Sequence, residues 1–455
     1  MPETERVPGL PEKYGLTVLY EDNHLLVVEK PVNMPVQADI SGDEDLCTRC
    51  RKYLKEEGNK PGDAYLGIVQ RLDRPVGGVM TFAKTSKAAA RLTAQFKTHA
   101  AGKRYVAIVC GRAESHDALK DYLLKDERTN MTAVVNADVP GAKQARLSYD
   151  TIGRDGDLSL VDVSLQTGRP HQIRVQLAHA GLPILGDQRY HPDAVAAAGA
   201  GLPFKRTQIC LWSYALTLEH PTLGEKMTFF SVPKGEEWKR FSAQMQMLPA
   251  FSVCSGVYLD DTMAVCDKKA GVEVEEELLS ELSTVFPEIY PVHRLDANTQ
   301  GLVIFARTEE KRQELEEAFY RHEIEKIYHA VLAGCPEKKS GHLKDYAVKD
   351  PEEGTVRICG EKTPGAQRME LDYRILKEKA GCALAEINLL TGRTHQIRVQ
   401  MAHAGYPVLG DDKYGNREQN KQYRSRTQQL LCKRMCVGEM LFESCKEVRL
   451  PEEVR

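Results

Sequence analysis

Few polar residues in this chain suit catalysis and also occur twice in register. They are an arginine beside an aspartate, a tyrosine, an Arg-x-His-Gln-x-Arg cluster that ends in a second arginine, a second histidine and a further aspartate. In the first half the set runs Arg71, Asp73, Tyr105, Arg169 to Arg174, His179 and Asp187, and in the second half Arg294, Asp296, Tyr328, Arg393 to Arg398, His403 and Asp411. A carboxylate near an arginine stays ionised even when largely desolvated, because the opposite charge favours the charged form. It can then act as a nucleophile or a base. The sequence therefore indicates two copies of a carboxylate–arginine site.

The residue types around each carboxylate are compatible with RNA. A tyrosine offers a flat face for a nucleobase, and such stacking contributes about 1–3 kcal/mol per base. Arginines can contact phosphates. The cysteines do not recur between the halves, and neither does any Ser-His-Asp or Cys-His set. A thiol nucleophile and a shared zinc site are therefore not leading explanations.

Taken singly, each of these features also has a structural interpretation. An Arg-Leu-Asp triplet is more often a surface ion pair than a site, and a tyrosine in a strand usually packs. Histidines on a helix face, such as His179 and His403, more often satisfy local hydrogen bonds than carry protons. The aspartates of the two Leu-Gly-Asp sequences, Asp187 and Asp411, could simply shape a turn. Repetition of the whole set favours a function in both halves.

The repetition extends through three long blocks, which indicates a duplicated domain. Residues 71–85 recur at 294–308 and residues 103–111 at 326–334, both with an offset of 223, while residues 167–190 recur at 391–414 with an offset of 224. This period is too long for a solenoid and has the size of an ordinary domain. We therefore predict two domains, residues 1–240 and 241–455, with the join near residues 233–253.

Composition is typical of a normally folding globular protein, with 42% hydrophobic and 28% charged residues. A net charge of -3 does not by itself indicate a nucleic-acid binder, but it leaves room for a local basic groove. The apolar runs are too short to span a bilayer, and residues 1–14 lack the apolar core of a secretory signal. Scattered cysteines favour a reducing compartment, so we expect a cytoplasmic protein.

Short apolar or alternating runs predict strands, and helical periodicity predicts helices. The strands are expected at 17–20, 25–29, 78–84, 104–110 and 158–165, and the helices at 43–57, 86–96 and 171–179. Ser86 is the expected N-cap of the second helix. Cys47 and Cys50 fall within the first helix and have no second pair at zinc spacing, so we expect no metal there. This mixture predicts an α+β fold with a largely antiparallel sheet.

Three ordered motifs, found twice, resemble the signature motifs of the RluA-type family of RNA pseudouridine synthases. They are Arg71 to Gly78 with Arg-Leu-Asp, Lys103-Arg104-Tyr105, and Thr167 to Arg174, with counterparts at Arg294-Leu295-Asp296, Lys326-Ile327-Tyr328 and Thr391 to Arg398. The resemblance implies two tandem pseudouridine-synthase-like domains, each with a mixed, largely antiparallel sheet and flanking helices. It also implies an isomerase that converts specific uridines in structured rRNA or tRNA to pseudouridine.

The resemblance assigns roles to the repeated residues. Asp73 and Asp296 would be the catalytic aspartates, Tyr105 and Tyr328 would stack on the target base, and Arg174 and Arg398 would pair with the aspartates; Arg71 and Arg294 would fill the space left by the flipped uridine. Flipping costs least in loops, so structured RNA with an accessible uridine is the expected partner. The family needs neither a metal nor an organic cofactor, and the sequence does not indicate the oligomeric state.

The second copy departs from the family pattern at its start. It has His293 before Arg-Leu-Asp, as many relatives do, where the first copy has Gln70. The first copy opens with a stretch that ends in Lys30-Pro31, whereas the second has Lys268-Lys269 there. We therefore expect an eroded opening in the second copy and weaker grounds for its RNA docking. The first copy begins by about Thr17, which leaves no expected room for an additional RNA-binding domain before it.

Two other functions remain open at this point. One is an RNA-binding protein in which one or both copies are catalytically silent. The presence of a complete Asp-Tyr-Arg set in both copies argues against it. The other is a hydrolase of nucleosides or glycosides, in which Asp187 and Asp411 would serve as the second carboxylates that such enzymes typically use. Release of free uracil would indicate the hydrolase, and retention of the base as a C-glycoside would indicate the synthase.

Overall fold

A computed structural model describes residues 10–58, 64–193, 207–250, 252–350 and 354–452. The chain forms two compact units, and the boundary between them lies between Phe241 and Ser242. Each unit is built around its own 11-stranded sheet. Within the described residues, no helix has both the length and the apolar character needed to cross a membrane.

The first unit contains eleven strands and four α-helices among its described residues. The strands are β1 (Thr17–Glu21), β2 (Leu25–Lys30), β3 (Gly67–Ile68), β4 (Gly77–Ala83), β5 (Gly102–Cys110), β6 (His116–Asp126), β7 (Met131–Val135), β8 (Lys143–Asp155), β9 (Leu158–Leu165), β10 (Leu211–Glu219) and β11 (Lys226–Phe230). The helices are α1 (Leu10–Lys13), α2 (Leu46–Glu57), α3 (Ser86–Lys97) and α4 (Gln172–His179), followed by a 3-10 turn at Glu236–Phe241.

The second unit repeats this series. Its strands are β12 (Cys254–Leu259), β13 (Met263–Lys268), β14 (Tyr290–Pro291), β15 (Gln300–Ala306), β16 (Glu325–Ala333), β17 (Ser340–Asp350), β18 (Thr355–Cys359), β19 (Gln367–Lys379), β20 (Cys382–Leu389), β21 (Leu430–Val437) and β22 (Met440–Glu443). Its helices are α5 (Ser242–Gln246), α6 (Leu279–Ser283), α7 (Glu309–Tyr320), α8 (Gln396–His403) and α9 (Arg417–Gln422), with a 3-10 turn at Leu248–Ala250 and a π-helical turn at Val274–Leu278.

Strand order is the same in both sheets. It is β1-β2-β4-β10-β5-β9-β8-β6-β7 in the first unit and β12-β13-β15-β21-β16-β20-β19-β17-β18 in the second, with one short strand beside β4 or β15 and another beside β10 or β21. Among the pairs of named strands, β4 with β10 and β15 with β21 are parallel, and the others are antiparallel. The predicted α+β fold with a mixed, largely antiparallel sheet is confirmed.

Both faces of the central strands are covered, which explains their nearly continuous apolar sequences. All seven residues of β4 are buried. Because side chains alternate along a strand, Val79 and Ala83 pack with Leu92 of α3, while Met80 and Phe82 join the cluster that includes residues of α2. The sheet is therefore the middle layer of each unit and holds the loops at its strand ends in fixed positions.

Local details correct two of the sequence predictions. The N-cap of α3 is Thr85, not Ser86: Thr85 is extended and its hydroxyl accepts from the backbone N–H of Ala88 at 3.2 Å. The helix expected from residue 43 begins at Leu46, where the side chain of Asp45 caps it. In both cases a side-chain oxygen three residues before a free N–H determines where the helix starts.

The opening of the second unit is not eroded. Strands β12 and β13 pair with each other and β13 pairs with β15, as β1, β2 and β4 do. What differs is the connection after the buried lysine that ends β2 or β13. Residues 31–45 separate Lys30 from α2, whereas residues 269–273 separate Lys268 from the π-helical turn. The second unit thus keeps the strands and shortens a loop.

Candidate active site

The two predicted aspartates lie in equivalent loops, between β3 and β4 and between β14 and β15. The carbonyl of Asp73 accepts from the N–H of Val76 at 3.0 Å, and that of Asp296 accepts from Thr299 at 2.9 Å. These bonds close a turn directly before a buried strand. Each carboxylate is 26% exposed, so it reaches solvent from a fixed backbone.

One buried arginine approaches each aspartate from the helix that follows β9 or β20. Arg174 Nη1 lies 3.4 Å from Asp73 Oδ2, and Arg398 Nη1 lies 3.1 Å from Asp296 Oδ2. Both arginine side chains are 4% exposed. Each is the third residue of its helix, α4 or α8, so the helix direction sets where the guanidinium points. The structure therefore brings the two pairs named from the sequence together.

A second carboxylate orients each arginine. Arg174 donates through Nε and Nη2 to the two oxygens of Asp187, both at 2.8 Å, a bidentate geometry that fixes the guanidinium plane. Asp187 Oδ1 also accepts from the N–H groups of Arg189 and Tyr190. Burial raises the pKa of Asp187, but its bonds to Arg174 lower it further, so the net shift is downward. Asp411 binds Arg398 in the same way, at 2.6 and 2.9 Å.

A histidine that received no role from the sequence also lies at each aspartate. His171 Nε2 is 4.0 Å from Asp73 Oδ2, and its Nδ1 is 2.7 Å from Tyr190 Oη. Because Tyr190 Oη already accepts the N–H of Thr132, its proton is available to Nδ1, which favours a ring proton on Nε2, facing the carboxylate. Burial lowers the pKa of His171. The second unit repeats this arrangement with His395, Tyr414 and Val356.

The backbone at this histidine is unusual in both units. His171 has φ 52° and His395 has φ 54°, in the left-handed region. Such a conformation is uncommon for a residue with a side chain and clusters at functional sites. Here it directs the ring of the residue before α4 or α8 at the aspartate. The signal that could have found this residue was its place in the most closely repeated block.

Tyr105 and Tyr328 lie in β5 and β16, and each is 7% exposed. Burial raises the pKa of Tyr105, and the charge of Asp73 raises it further, so the phenol keeps its proton. The pairing of β5 with β10 shifts register between Ser213 and Ala215, next to this tyrosine. A shift at the same place beside Tyr328 marks the second sheet. Such bulges re-aim side chains near active sites.

A glycine of the first motif lets β4 approach β10 at this point. Gly78 has φ 120°, and a Cβ there would lie 2.1 Å from the carbonyl oxygen of Ser213. The equivalent Cβ on Gly301 would lie 2.3 Å from the carbonyl oxygen of Cys432. Ser213 in turn pairs with Tyr105. The repeated glycine thus permits the parallel contact that brings the aspartate loop to the tyrosine strand.

A buried lysine lies beneath each aspartate loop. Lys30 Nζ donates to the carbonyls of Pro31, Arg74 and Val76 at 2.7–2.9 Å. Lys268 Nζ binds three carbonyls in the second unit, among them that of Ala297 next to Asp296. Burial lowers the pKa of Lys30 to about 7, while three acceptors match the three protons of an ammonium group. Each lysine therefore fastens the loop that carries the aspartate.

The two arginines of the Arg-Leu-Asp triplets are exposed. Within the described parts of the chain, neither Arg71 nor Arg294 forms a side-chain hydrogen bond or ion pair. In the second unit Arg294 borders a cavity of about 400 Å³, within the range of small-ligand sites. Its lining includes His293, Asp296, Tyr320, Lys326, Tyr328 and Arg398. The cavity therefore collects the predicted site residues of this half around a space of suitable size for a nucleoside.

This arrangement places one partly exposed aspartate against a buried arginine in each unit. Asp187 and Asp411 are 1% exposed and engage both oxygens with protein groups, so neither can serve as a second carboxylate at a glycosidic bond. Asp73 and Asp296 are the partly exposed carboxylates that occur in both sites, whereas Asp412, which is 60% exposed and binds Arg398, occurs in the second site alone among the described residues. Asp73 and Asp296 each lie between a guanidinium, a neutral imidazole and a buried phenol.

Comparison with known proteins identifies the family of both units. A sequence model of the RNA pseudouridylate synthase family matches residues 24–179 and 262–403, which is more than half of the chain. A protein named ribosomal large subunit pseudouridine synthase D, from Zymomonas mobilis, is 34% identical over 227 residues, which cover 48% of this chain and 69% of that protein.

A second relative is named for a different class of RNA. The mitochondrial tRNA pseudouridine(32) synthase of Saccharomyces cerevisiae is 34% identical over 186 residues, 40% of this chain and 38% of that protein. Among solved structures, human RNA pseudouridylate synthase domain containing 1 matches at 25% identity with a TM-score of 0.38, covering 42% of this chain and 82% of that one.

Proposed function

The chain belongs to the RNA pseudouridylate synthase family, and from that premise we propose that each of its two units isomerises its own uridine in rRNA or tRNA. The N1–C1′ bond of the uridine breaks, the C5–C1′ bond forms, C5 loses its proton and N1 gains one, so no atom is added or lost. The observation that carries the proposal is the presence of the same aspartate, arginine, histidine and tyrosine, at closely similar distances, in both units.

Asp73 and Asp296 are the proposed catalytic residues. Each carboxylate is the group in its site that can reach C1′ or a sugar proton of a bound uridine, and thus can act as nucleophile or base. Arg174 and Arg398 hold the carboxylates, and Tyr105 and Tyr328 present their rings to the base. Arg71 and Arg294, with no partner among the described residues, are available to replace the flipped uridine in the RNA.

The test uses RNA transcribed with tritium at C5 of uridine and the purified protein. Isomerisation replaces the C5–H bond with a C–C bond, so tritium appears in water while the base remains attached to the RNA. Tritium release without free uracil supports the synthase. Release of free uracil would indicate a hydrolase, and retention of RNA on the protein without either product would indicate a silent RNA-binding protein.

A further inference from the structure

Lys326 is a buried lysine and Lys103 a half-buried one, and neither has an anionic or hydrogen-bonding partner among the residues that the structure describes. They lie two residues before the site tyrosines, in β5 and β16, and Lys326 is 8% exposed. Within the described residues, neither Nζ forms a hydrogen bond or an ion pair. Burial lowers the pKa of both groups. A buried cation without a partner is costly, so its place in two units requires an explanation.

The space around each Nζ is kept open by a glycine of the Thr-Gly-Arg motif. A Cβ on Gly168 would lie 3.3 Å from Lys103 Nζ, and a Cβ on Gly392 would lie 3.3 Å from Lys326 Nζ. Any side chain there would crowd the ammonium group. In the second unit Lys326 also lines the cavity that contains Asp296 and Tyr328. The amine therefore faces the substrate space from the side of the third motif.

Other buried lysines in this fold are bonded to backbone carbonyls, and within the described residues Lys103 and Lys326 are not. Lys30 and Lys268 each donate to three carbonyls. Lys326 has the ring of Phe319 at 5.5 Å, a weak partner for a cation. Each unit thus has, at its site, one lysine bonded to three carbonyls and one lysine without a partner among the described residues, and this difference recurs with the site.

We propose, on the basis of the proposed function, that Lys103 and Lys326 bind the phosphate next to the target uridine. Phosphodiesters are the anionic groups of RNA, and a charge-assisted bond to a phosphate oxygen provides what the buried ammonium lacks. Each lysine thus anchors the backbone on one side of the flipped nucleotide while the aspartate acts at its sugar. These are binding residues, distinct from the reacting carboxylates.

The first readout is steady-state kinetics of tritium release by each unit alone. In an Asp73→Asn background, which leaves the second unit, Lys326→Met should raise KM for RNA roughly 10- to 100-fold and change kcat much less. Lys326→Arg should restore much of the loss. Lys103→Met in an Asp296→Asn background should behave in the same way. The matched control is Lys339→Met, which removes an exposed lysine paired with Glu378 and should leave KM unchanged.

The second readout needs no turnover: binding of single-stranded oligouridylate over a range of salt concentrations. The Lys103→Met/Lys326→Met double variant should bind less tightly and lose about one counterion equivalent of salt dependence per site. Unchanged KM, affinity and salt slope would overturn the inference, as would loss of folding stability comparable to that of Lys30→Met, which would mark a structural lysine. If binding falls as expected but wild-type protein releases no tritium, the proposed function fails and the phosphate contact stands.

Discussion

Each unit has its own copy of the same site, and the two copies differ in the residues that surround them. The aspartate–arginine and histidine–tyrosine pairs recur in both, and a buried lysine bonded to three carbonyls lies beneath each aspartate loop. Over the two halves as wholes, residues 1–241 contain 32 Lys and Arg against 30 Asp and Glu, and residues 242–455 contain 30 against 35. The duplication therefore preserved the groups that can do chemistry, while the charge that meets a polyanionic RNA diverged.

The helix beside each site shows the divergence most clearly. Helix α3 carries three basic residues and no acidic one. Helix α7 carries five glutamates and two basic residues, and Lys311 and Arg312 pair with glutamates of the same helix. At the C-terminal end, Lys97 in α3 corresponds to Tyr320 in α7, which is 85% exposed at the cavity. The first unit offers charge where the second offers an aromatic ring.

The loop after the first buried lysine is a second difference. In the first unit Arg74 binds Asp39, Ser41 and Asp43 and so ties residues 31–45 to the aspartate loop. The second unit has Ala297 at the position of Arg74 and the short connection 269–273. The same aspartate loop is thus supported by an additional surface segment in one unit only, a difference that would give the proposed sites different RNA targets.

The largest expected effect is the loss of activity in one unit while the other unit remains active. Asp73→Asn and Asp296→Asn should each remove one set of pseudouridines, with a loss of about 10²–10⁴-fold or more in that unit, because the amide is neither nucleophile nor base. Mapping pseudouridine in RNA from cells with each variant measures this. The double variant should remove both sets. If one single variant removes every site, the other unit is silent and the equivalence of the two sites is wrong.

The next effect distinguishes the two orienting aspartates. Asp187→Ala leaves Arg174 buried with Asp73 alone, and should destabilise the first unit by about 3–5 kcal/mol. Asp411→Ala should cost less, because Arg398 Nη2 also donates to Asp412 at 3.1 Å, where the first unit has Gln188. Trp212 and Trp238 are the two tryptophans and both lie in the first unit. Urea unfolding by fluorescence therefore follows that unit, and circular dichroism follows both.

Equal losses of stability for Asp187→Ala and Asp411→Ala would show that Asp412 contributes nothing. The control is Asp412→Ala in the second unit. Its side chain is 60% exposed, so its loss alone should change the free energy of unfolding by less than about 1 kcal/mol.

A smaller effect concerns the exposed aromatic ring of the second unit. Tyr320→Ala should raise KM of that unit roughly tenfold, since stacking on one base contributes about 1–3 kcal/mol. Tyr320→Phe keeps the ring and should retain most of the affinity. Kinetics of tritium release in the Asp73→Asn background measure both. A loss in Tyr320→Phe equal to that in Tyr320→Ala would mean that the hydroxyl, and not the ring, contacts RNA.

The smallest effect is in salt dependence. The first unit, isolated as Asp296→Asn, should lose RNA affinity more steeply with rising salt than the second unit, isolated as Asp73→Asn, because α3 carries three basic residues and no acidic one. Plots of log KM against log salt concentration measure the slopes. Lys97→Ala should reduce the first slope by about one. Identical slopes would mean that the diverged helices lie outside the RNA path.

Much of the fold could be predicted from the sequence because its signals are local. Alternation and short apolar runs gave strands such as β9, and the repeat gave two units with one topology. The missed strands, such as β6 with its polar alternation, lie where neither face is fully apolar. The N-cap of α3 was misplaced by one residue since Thr85 and Ser86 carry equivalent hydroxyls. The expected erosion of the second unit was wrong because Lys268 alone, without a following proline, keeps the three carbonyl bonds.

The sequence by itself determined the duplication, the class of fold and the repeated residues that are proposed for the two sites, because register between repeats is a property of the chain. Only the tertiary structure decided what each residue touches. Arg174 and Asp73 are 101 positions apart, and no local pattern encodes their distance. Nor could the sequence show that Lys30 has three carbonyl acceptors while Lys103 has no hydrogen-bonding partner among the described residues. The two side chains are identical, and only folding brings carbonyls to one and a glycine to the other.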